Sequence, residues 1–526
     1  MEHNAIHLID YIIIIVSVLF SIAVGVYFYK RQHSTSSFFK ASGKFPSWAI
    51  GISILATLVS SITFLAYPGA GYSSNWILLL QGLMVPLVLF TTIWFIVPLY
   101  RKVIGLSVYE YFEKRFGYFA RFYGSFGFVL NSFSGMATTL FLLALAVSSM
   151  MGISTFLVLW IIGSTIIIIT LLGGMEGVIW LDVIQGLLLI VGGLVCLVML
   201  IFSIQGGLPE IWSVAKANDR VGFGPYDIDF TRLTFIVMAI NGIFYAIQKY
   251  ATDQTIVQRY LSAGSNRSAI KATLMGALLT VPVWIIFMFI GTVLFVYYHK
   301  NPGELPENMR PDGVFPHFIM SKFPLGIVGL VISALLASAI ASTVAALNSL
   351  VAVGLEDYYK RWRPNRTDKH YFSTSKTLVV LCGLLSVFMS SLYLLAGNEG
   401  VLGIVFVLYA IFSGGIAGIF LLGFFVPWAN KGGLNVAILV CVLFTGYAIL
   451  TSTTIGSGTG EQIIVDMGDL NFTHHKLMLG VYTHLIILGV GSVASYFFPK
   501  KEVDKNLIFA GWGDAKRQGK LKIKEL

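Results

Sequence analysis

Hydroxyl side chains gather in the middle of one apolar segment, residues 47–68, which is long enough to cross a bilayer. The hydroxyl residues are Ser60, Ser61 and Thr63. They are followed by residues that weaken helices, namely Pro68, Gly69 and Gly71. The pattern predicts a broken helix with backbone carbonyls that have no partner inside the helix. At membrane depth such carbonyls persist when buried in protein or facing a water-filled cavity, where they can hold a cation. A kinked helix whose hydroxyls bond to their own backbone fits the same pattern.

A second polar helix is predicted near residues 326–354, where Ser338, Ser342 and Ser349 recur at near-helical spacing. Small alanines around them allow another helix to approach closely. A Na⁺ ion must exchange its water for protein oxygens, and hydroxyls with carbonyls can supply these without burying a counter-charge. The sequence therefore predicts a sodium site where this face meets the broken helix. The alternative is an ordinary seam of small residues.

Ionisable and polar groups inside the other apolar segments are scarce. Asp182 lies at the cytoplasmic start of a predicted helix, either as a gate charge on a sodium exit route or as an acid favoured by the helix dipole. Asn241, Phe244 and Tyr245 lie within 232–250, where rings and amides suit a polar organic solute. An aromatic belt at the membrane interface is the competing interpretation there.

Composition bounds the class of protein. Of 526 residues, 56% are hydrophobic and 11% are charged, which is typical of an all-α polytopic membrane protein. Motifs of metalloproteases, P-loop proteins, serine hydrolases and dinucleotide-binding enzymes are missing, so the chain is predicted not to be an enzyme. The net charge of +10 arises from basic loops between apolar spans and does not indicate nucleic-acid binding.

Apolar windows predict about 13 transmembrane spans. They lie near residues 10–29, 47–68, 76–99, 123–150, 154–172, 178–204, 232–250, 271–297, 326–354, 376–396, 400–424, 433–452 and 475–497. One side of this topology carries 27 of the 35 Lys and Arg residues and the other side 7, with Lys249 near a helix end. The positive-inside rule then predicts a protein of the cytoplasmic membrane with its N-terminus outside and its C-terminus inside.

Two runs of five spans each begin with a polar-interrupted helix, and an odd number of spans inverts the second run relative to the first. This organisation predicts six regions. They are a first transmembrane helix and cytoplasmic loop (1–46), a first five-helix repeat (47–204), an external loop (205–231), a second repeat (232–424), two C-terminal helices (425–497) and a basic cytoplasmic tail (498–526).

The chain resembles the sodium/solute symporter family. Within this family it looks most similar to the branch that contains bacterial sialic acid carriers and their monocarboxylate and iodide relatives. The likeness rests on Ala56–Thr63, Leu106–Phe116, Gly173–Asp182, Gln258-Arg259-Tyr260, and Leu347-Asn348-Ser349 followed by Glu356-Asp357-Tyr358. The resemblance implies two inverted five-helix repeats, a broken first core helix and alternating access around a site at the membrane midplane.

The resemblance also implies a sodium site. Its ligands would be the backbone carbonyls of Ala56, Val59 and Ser338 and the hydroxyl of Ser342. Relatives usually have a second hydroxyl where this chain has Ala341, and Thr343 or water could replace it. Relatives with another sodium site have hydroxyls where this chain has Val344 and Ala345, so one Na⁺ per cycle is predicted.

The implied solute site departs from that of sialic acid carriers. Gly135 stands where those carriers have an arginine for the carboxylate, and the sequence indicates no buried Lys or Arg nearby to replace it. Leu58 replaces a threonine, and the usual glutamine is shifted by one, to Gln81. The solute site is therefore predicted to hold a neutral sugar or polyol through Ser60, Ser61, Thr63, Gln81, Asn241, Phe244 and Tyr245.

The sequence thus predicts a sodium-coupled importer of a small polar solute in the lipid bilayer, as a monomer or weak oligomer. One alternative is a carrier of sialic acid or of another organic or inorganic anion. Alternatives of another class are an ion channel, for which no carbonyl filter is visible, and a transport-inactive sensor, for which the short tail offers no output domain.

Overall fold

The computed structural model describes residues 7–41, 45–307, 309–396, 414–455, 462–499 and 502–511, and most of these are helical. The first half contains α1 (Leu8–Tyr29), α2 (Thr35–Lys40), α3 (Ser47–Leu58), α4 (Ser61–Ser73), α5 (Leu79–Val103), α6 (Glu110–Phe116), α7 (Tyr118–Met151), α8 (Thr155–Phe202) and α9 (Gly207–Ala217). The second half contains α10 (Phe235–Ala251), α11 (Gln254–Ser262), α12 (Asn266–Lys300), α13 (Pro311–Lys322), α14 (Ile327–Val353), α15 (Lys360–Trp362), α16 (Asp368–Ala396), α17 (Ile416–Phe425), α18 (Lys431–Leu450) and α19 (Leu477–Ala494). The predicted all-α membrane class is confirmed. Strands β1 (Thr454–Ile455) and β2 (Gln462–Ile463) add a short antiparallel hairpin that the sequence did not predict.

Within the described ranges, nine helices are long and apolar enough to cross a bilayer, and the bent pair α3 and α4 makes a tenth. The 48-residue helix α8 is too long for one crossing and is interrupted at Gly174, whose φ is 49°. There the side chain of Gln32 donates to the Leu172 carbonyl at 2.5 Å. This interruption lies between the predicted spans 154–172 and 178–204. The total of 13 spans stays a prediction, since 400–424 falls partly outside the described residues.

Burial separates central helices from peripheral ones. In α14, 83% of the most apolar window is buried, whereas the corresponding figure for α1 is 22%. A helix that is apolar or small on every face fits the interior of a bundle, while α1 exposes isoleucines and leucines toward the surrounding lipid. The helix α14 packs against α1, α7 and α8, and α12 packs against α3, α4 and α5.

The first core helix of each repeat is broken, as predicted. One break separates α3 from α4 at Val59 and Ser60, where the two halves meet at an angle of 58°. The other separates α10 from α11 at Thr252 and Asp253. These two interruptions bring non-helical backbone into the middle of the bundle.

The cause of the first break differs from the expectation. Helix α4 continues through Pro68 to Ser73, so proline and the following glycines do not produce the interruption. A Cβ atom on Gly71 would collide with the Met288 carbonyl of α12, and one on Gly291 would collide with the Pro68 carbonyl. These glycines therefore allow the backbones of α4 and α12 to touch.

The other half of the broken helix makes the same kind of contact. A Cβ atom on Gly51 of α3 would lie 3.0 Å from the Ala272 carbonyl, and one on Gly276 would lie 2.7 Å from the Gly51 carbonyl. Helix α12 is thus in close backbone contact with α3 and with α4, on both sides of the break.

Candidate functional site

The backbone leaves helical geometry at Val59, whose φ of −98° and ψ of 96° are extended. Its N–H still closes the last turn of α3 by donating to the Leu55 carbonyl at 2.9 Å. Its carbonyl accepts a 3.0 Å hydrogen bond from the Ser338 hydroxyl of α14. Ser338 is buried, and so is Val59. The structure therefore brings two of the predicted sodium-binding residues into direct contact, although it does so through the Ser338 hydroxyl and not through the predicted Ser338 carbonyl.

The next turn of α14 completes the polar face. The Ser342 hydroxyl donates to the Ser338 carbonyl at 3.1 Å, so its oxygen lies one turn from the Val59 contact. Ala341 is fully buried and brings no side-chain oxygen. Thr343 is 3% exposed, and among the described residues its hydroxyl has no hydrogen-bond partner. A buried hydroxyl without a partner is costly, which marks Thr343 as an available oxygen beside Ser342.

Ala56, the remaining predicted sodium ligand, lies one turn before Val59 on α3. It is buried, and its Cβ faces Gly186 of α8, where a Cβ atom would lie 3.3 Å away. Val59, Ser338 and Ser342 thus lie where the end of α3 meets α14, whereas Ala56 lies one turn away and faces α8. Their hydroxyl and carbonyl oxygens are of the hard type that Na⁺ prefers.

A cavity of about 210 Å³ adjoins this meeting point. Thr57 and Ser60 line it from the first broken helix, and Ser342 and Thr343 line it from α14. The remaining walls come from α7, through residues that include Asn131, Ser132 and Gly135, and from the second broken helix, through Lys249, Asp253 and Thr255. Both helix breaks therefore face one polar cavity.

The cavity contains a lysine that the sequence analysis did not assign to it. The Lys249 ammonium lies 2.6 Å from Asp253 Oδ2, and the Lys249 side chain is 24% exposed. The expectation that no Lys or Arg lies near Gly135 is wrong, because Lys249 lines the same cavity as Gly135. Its position near the predicted end of a span concealed it, although its i, i+4 spacing from Asp253 was a usable signal.

The predicted solute residues are not all brought together. Ser60 lines the cavity, and the N–H of Thr63 donates to the Ser60 carbonyl at 3.0 Å. The side chain of Ser61 lies outside the described part of the structure. Gln81 of α5 packs against α10, since a Cβ atom on Gly242 would lie 2.9 Å from its Cα.

Two predicted solute residues of α10 face away from the cavity. Asn241 donates to the Leu477 carbonyl of α19 at 3.1 Å, and the Phe244 ring lies 5.6 Å from the His484 ring. Five residues at 100° each place Phe244 about 140° around the helix from Lys249. Tyr245 lies one turn before Lys249, in an apolar cluster.

Asp182 belongs to a buried cluster that links three helices. The Arg259 guanidinium of α11 lies 2.7 Å from Asp182 Oδ2, and both side chains are 1% exposed. Ser53 of α3 donates to the same oxygen at 2.5 Å and accepts from Arg259 Nε at 2.8 Å. The first broken helix is thereby tied to the second, with α8 between them. Arg259 and Ser53 were missed as partners because they are distant in sequence, though Arg259 stands in the motif that carries the family resemblance.

One oxygen of this cluster is still available. Asp182 Oδ1 has no hydrogen-bond donor among the described residues. The carboxylate is nevertheless neutralised by Arg259, so the cluster connects α3, α8 and α11 in this conformation. Neither of the two earlier interpretations of Asp182 included this ion pair.

Comparisons of sequence show which family the chain belongs to. The model of the sodium:solute symporter family matches residues 38–440. A sodium/sialic acid symporter from Aliivibrio fischeri is 35% identical over 502 residues, covering 95% of each chain. Another, from Proteus mirabilis, is 33% identical and covers 91% of this chain and 93% of the relative. A sodium-dependent multivitamin transporter from Oryctolagus cuniculus is 28% identical and covers 86% of this chain and 72% of the relative.

Solved structures give the same answer. A substrate-bound, outward-open Na⁺-coupled sialic acid symporter superposes with a TM-score of 0.86 at 30% identity, covering 95% of this chain and 100% of that chain. Mhp1, a nucleobase-cation-symport-1 family transporter, has a TM-score of 0.57 at 15% identity, covers 88% of this chain and 94% of that chain, and shares the fold. Family match, close relatives and fold lead to one conclusion: this chain belongs to the sodium:solute symporter family.

Proposed function

We propose that this sodium-coupled symporter imports sialic acid or a closely related acidic sugar. The chain is a transporter and not an enzyme, and Na⁺ is its coupling ion. The carrying observation for the solute is the combination of two sialic acid symporters at 35% and 33% identity with a polar cavity that contains Lys249. The prediction of a neutral sugar rested on the absence of a cation near Gly135, and Lys249 removes that reason.

The sodium site is proposed to use the Ala56 and Val59 carbonyls, the Ser338 carbonyl and the Ser342 hydroxyl. In the present conformation the Ser338 hydroxyl bonds to the Val59 carbonyl, which is an interaction that an arriving ion can replace. Thr343 is proposed to supply the oxygen that Ala341 lacks, because its buried hydroxyl has no other partner among the described residues. Na⁺ binding would then satisfy this hydroxyl and hold α3 and α14 together.

One Na⁺ per solute is proposed, since Val344 and Ala345 offer no side-chain oxygen for a further ion. A monovalent anion carried with one Na⁺ moves no net charge across the membrane. The membrane potential then contributes nothing, and a tenfold sodium gradient, about 1.4 kcal/mol, supports about tenfold accumulation. A second Na⁺ would make transport electrogenic and add about 2.3 kcal/mol per 100 mV.

A neutral sugar or polyol is the second candidate solute. Gly135 favours it, because a cavity built around a fixed arginine would discriminate more strongly for a carboxylate than one with a flexible lysine. For such a solute, one Na⁺ would carry one net charge, and the potential would drive uptake. The two candidates therefore differ in electrical behaviour as well as in chemistry.

Uptake into proteoliposomes tests the function. Under an inward sodium gradient, labelled sialic acid should accumulate and should exchange in counterflow, which neither a channel nor a transport-inactive sensor would support. Sialic acid should compete better than glucose, inositol or lactate. An imposed membrane potential should leave the uptake unchanged. Sodium-driven uptake of glucose or inositol with no competition by sialic acid would overturn the proposed solute class.

Membrane placement is proposed to follow the distribution of basic residues, with the N-terminus outside and the C-terminus inside the cytoplasmic membrane. Labelling of single cysteines by a membrane-impermeant reagent tests this in whole cells. A cysteine at Ser74 of the predicted outer side should react, whereas one at Asn506 of the predicted inner side should react only after the membrane is opened.

A further inference from the structure

We propose that Lys249 is the residue that binds the carboxylate of the transported solute. This assignment rests on the proposed function of the cavity and adds a named partner for the solute's charge. The ammonium group lies in the wall of the cavity, at the end of α10. Among the described residues that line this cavity, Lys249 is the one that carries a positive charge.

Lys249 has donors to spare. A lysine ammonium carries three N–H donors, and the structure shows Asp253 Oδ2 accepting one of them at 2.6 Å. The side chain is partly exposed, so the ammonium can present another donor to the cavity. A carboxylate at this depth needs such a charged donor, because an uncompensated buried charge is costly.

Asp253 does not depend on Lys249 alone. It caps the N-terminus of the nine-residue helix α11, with Oδ1 accepting from the Thr255 N–H at 2.8 Å and from the Thr255 hydroxyl. The positive end of the α11 dipole also favours its negative charge. Lys249 can therefore turn part of its charge toward a solute while Asp253 stays ionised and hydrogen-bonded.

The balance of charges in the cavity gives a reason why the binding of the solute and the binding of Na⁺ should be coupled. Lys249 and Asp253 are neutral as a pair, so a bound carboxylate leaves the cavity with one uncompensated negative charge. The proposed sodium ligand Ser342 and its neighbour Thr343 line the same cavity, and Na⁺ there would restore neutrality. Buried charges are tolerated when they are paired, so solute and ion should each strengthen the binding of the other.

Gly135 leaves room for a new side chain that could restore the positive charge lost in a Lys249 variant. A Cβ atom built on Gly135 would meet nothing within 4 Å. An arginine can therefore be introduced there without displacing a neighbour at its first carbon, and its guanidinium would enter the cavity that Lys249 lines. If an arginine on the α7 wall restores binding, the solute needs a positive charge in the cavity; if it does not, the solute needs Lys249 itself.

The test compares an acid with its uncharged ester. Competition of sialic acid and of its methyl ester against labelled sialic acid is measured in proteoliposomes at saturating sodium. In the wild type the acid should compete far better than the ester. Lys249→Met and Lys249→Gln should weaken competition by the acid about 10- to 100-fold and leave the ester nearly unchanged. Lys249→Arg, and Lys249→Met combined with Gly135→Arg, should restore the preference for the acid.

The control is Lys300→Met, because Lys300 pairs with Glu210 at 2.6 Å in the region between α9 and α12, and it does not line the cavity. It should leave the preference for acid over ester unchanged. Variants that transport too slowly are assayed by sodium-dependent thermal stabilisation in detergent with the same two compounds. An unchanged preference for the acid in Lys249→Met and Lys249→Gln overturns the assignment while the proposed function stands. A wild-type protein that imports no carboxylate under a sodium gradient overturns both.

Discussion

The two helix breaks differ in how their backbone carbonyls are satisfied. At the first break, the Val59 carbonyl accepts from the hydroxyl of Ser338 on a neighbouring helix. At the second break, three consecutive carbonyls accept from buried tyrosine hydroxyls. The pairs are Tyr250 with Tyr260, Ala251 with Tyr100, and Thr252 with Tyr109.

The carbonyl at the first break can exchange its hydrogen-bond partner for an ion, whereas the carbonyls at the second break keep theirs. We call the first the exchangeable break and the second the fixed break. A serine hydroxyl can leave a carbonyl when an ion arrives, since the ion replaces the lost interaction. The three phenols are fully buried and lie in one apolar cluster, so they have little freedom to leave the carbonyls that they bind. The first break is therefore suited to bind Na⁺ through its backbone, and the second to hold a pair of charged side chains in place.

The largest expected effect comes from the cluster that joins the two breaks. Arg259→Met leaves Asp182 charged and buried without its partner, and we expect the free energy of unfolding to fall by about 3–5 kcal/mol. Thermal unfolding of the purified protein in detergent measures this. The double variant Asp182→Leu, Arg259→Met should recover much of the loss. Equal stability of Arg259→Met and wild type would show that the cluster does not hold the breaks together.

The next effect concerns the exchangeable break. Ser342→Ala removes a hydroxyl at a site that already has Ala341, and we expect the sodium concentration for half-maximal uptake to rise about 10- to 100-fold. Sodium titration of uptake in proteoliposomes gives the value. Ser333→Ala on the same helix is the matched control, because that buried hydroxyl has no hydrogen-bond partner in the described ranges. Unchanged sodium activation in Ser342→Ala would remove Ser342 from the site.

A smaller effect is expected at the fixed break. Tyr109→Phe leaves the Thr252 carbonyl unsatisfied, which should lower the free energy of unfolding by about 1–2 kcal/mol. Sodium activation should stay unchanged, since this carbonyl is not a proposed ligand. Tyr226→Phe on the exposed loop controls for the loss of a phenol. A large rise in the sodium requirement of Tyr109→Phe would show that the two breaks are not functionally distinct.

The smallest expected effect concerns which side chains supply oxygen ligands to Na⁺ at the first break. Ala341→Ser adds a hydroxyl where relatives usually have one, and we expect about fivefold tighter sodium activation. Thr343→Val should have the opposite effect if Thr343 already supplies the missing oxygen. In a protein that already carries Ala341→Ser, Thr343→Val should have a much smaller effect, because the added hydroxyl replaces the one that is lost. Independent and additive effects of the two changes would argue against a shared role.

Sequence located the first helix break and the polar face of α14, because hydroxyls are conspicuous in apolar spans. It did not locate the second break, since it ended the span at residue 250 and placed the residues of α11 in a cytoplasmic loop. It misjudged the cause of the first break, since a glycine that permits close packing and a glycine that ends a helix look alike in sequence. Gly71 is of the packing kind, and only the contact with Met288 reveals this. The family resemblance, and not periodicity, supplied Val59 and Ala56 as sodium ligands.

Tertiary contacts decided the remaining assignments. Asp182 was conspicuous as a charge in an apolar span, but its partner Arg259 is 77 residues away, and a single sequence does not pair them. The rotation of α10 directs Phe244 toward α19 and Lys249 toward the cavity. Residues a few positions apart on one helix can therefore belong to different environments, and the positions of neighbouring helices determine which residue meets the solute.

The glycine contacts of α12 have a mechanical consequence. Because α12 touches the backbones of both α3 and α4, it bridges the bend at Val59 and Ser60 and restrains the angle between the two halves. The bend is therefore expected to be rigid. A change in its angle would move one half away from α12 and open a gap at the glycine contacts, where no side chain can fill the space. Opening to either side of the membrane is therefore expected to move α3, α4 and α12 as one body past α7 and α14. The hydrogen bond between Ser338 and the Val59 carbonyl, at the proposed sodium site, lies on the surface where these bodies slide.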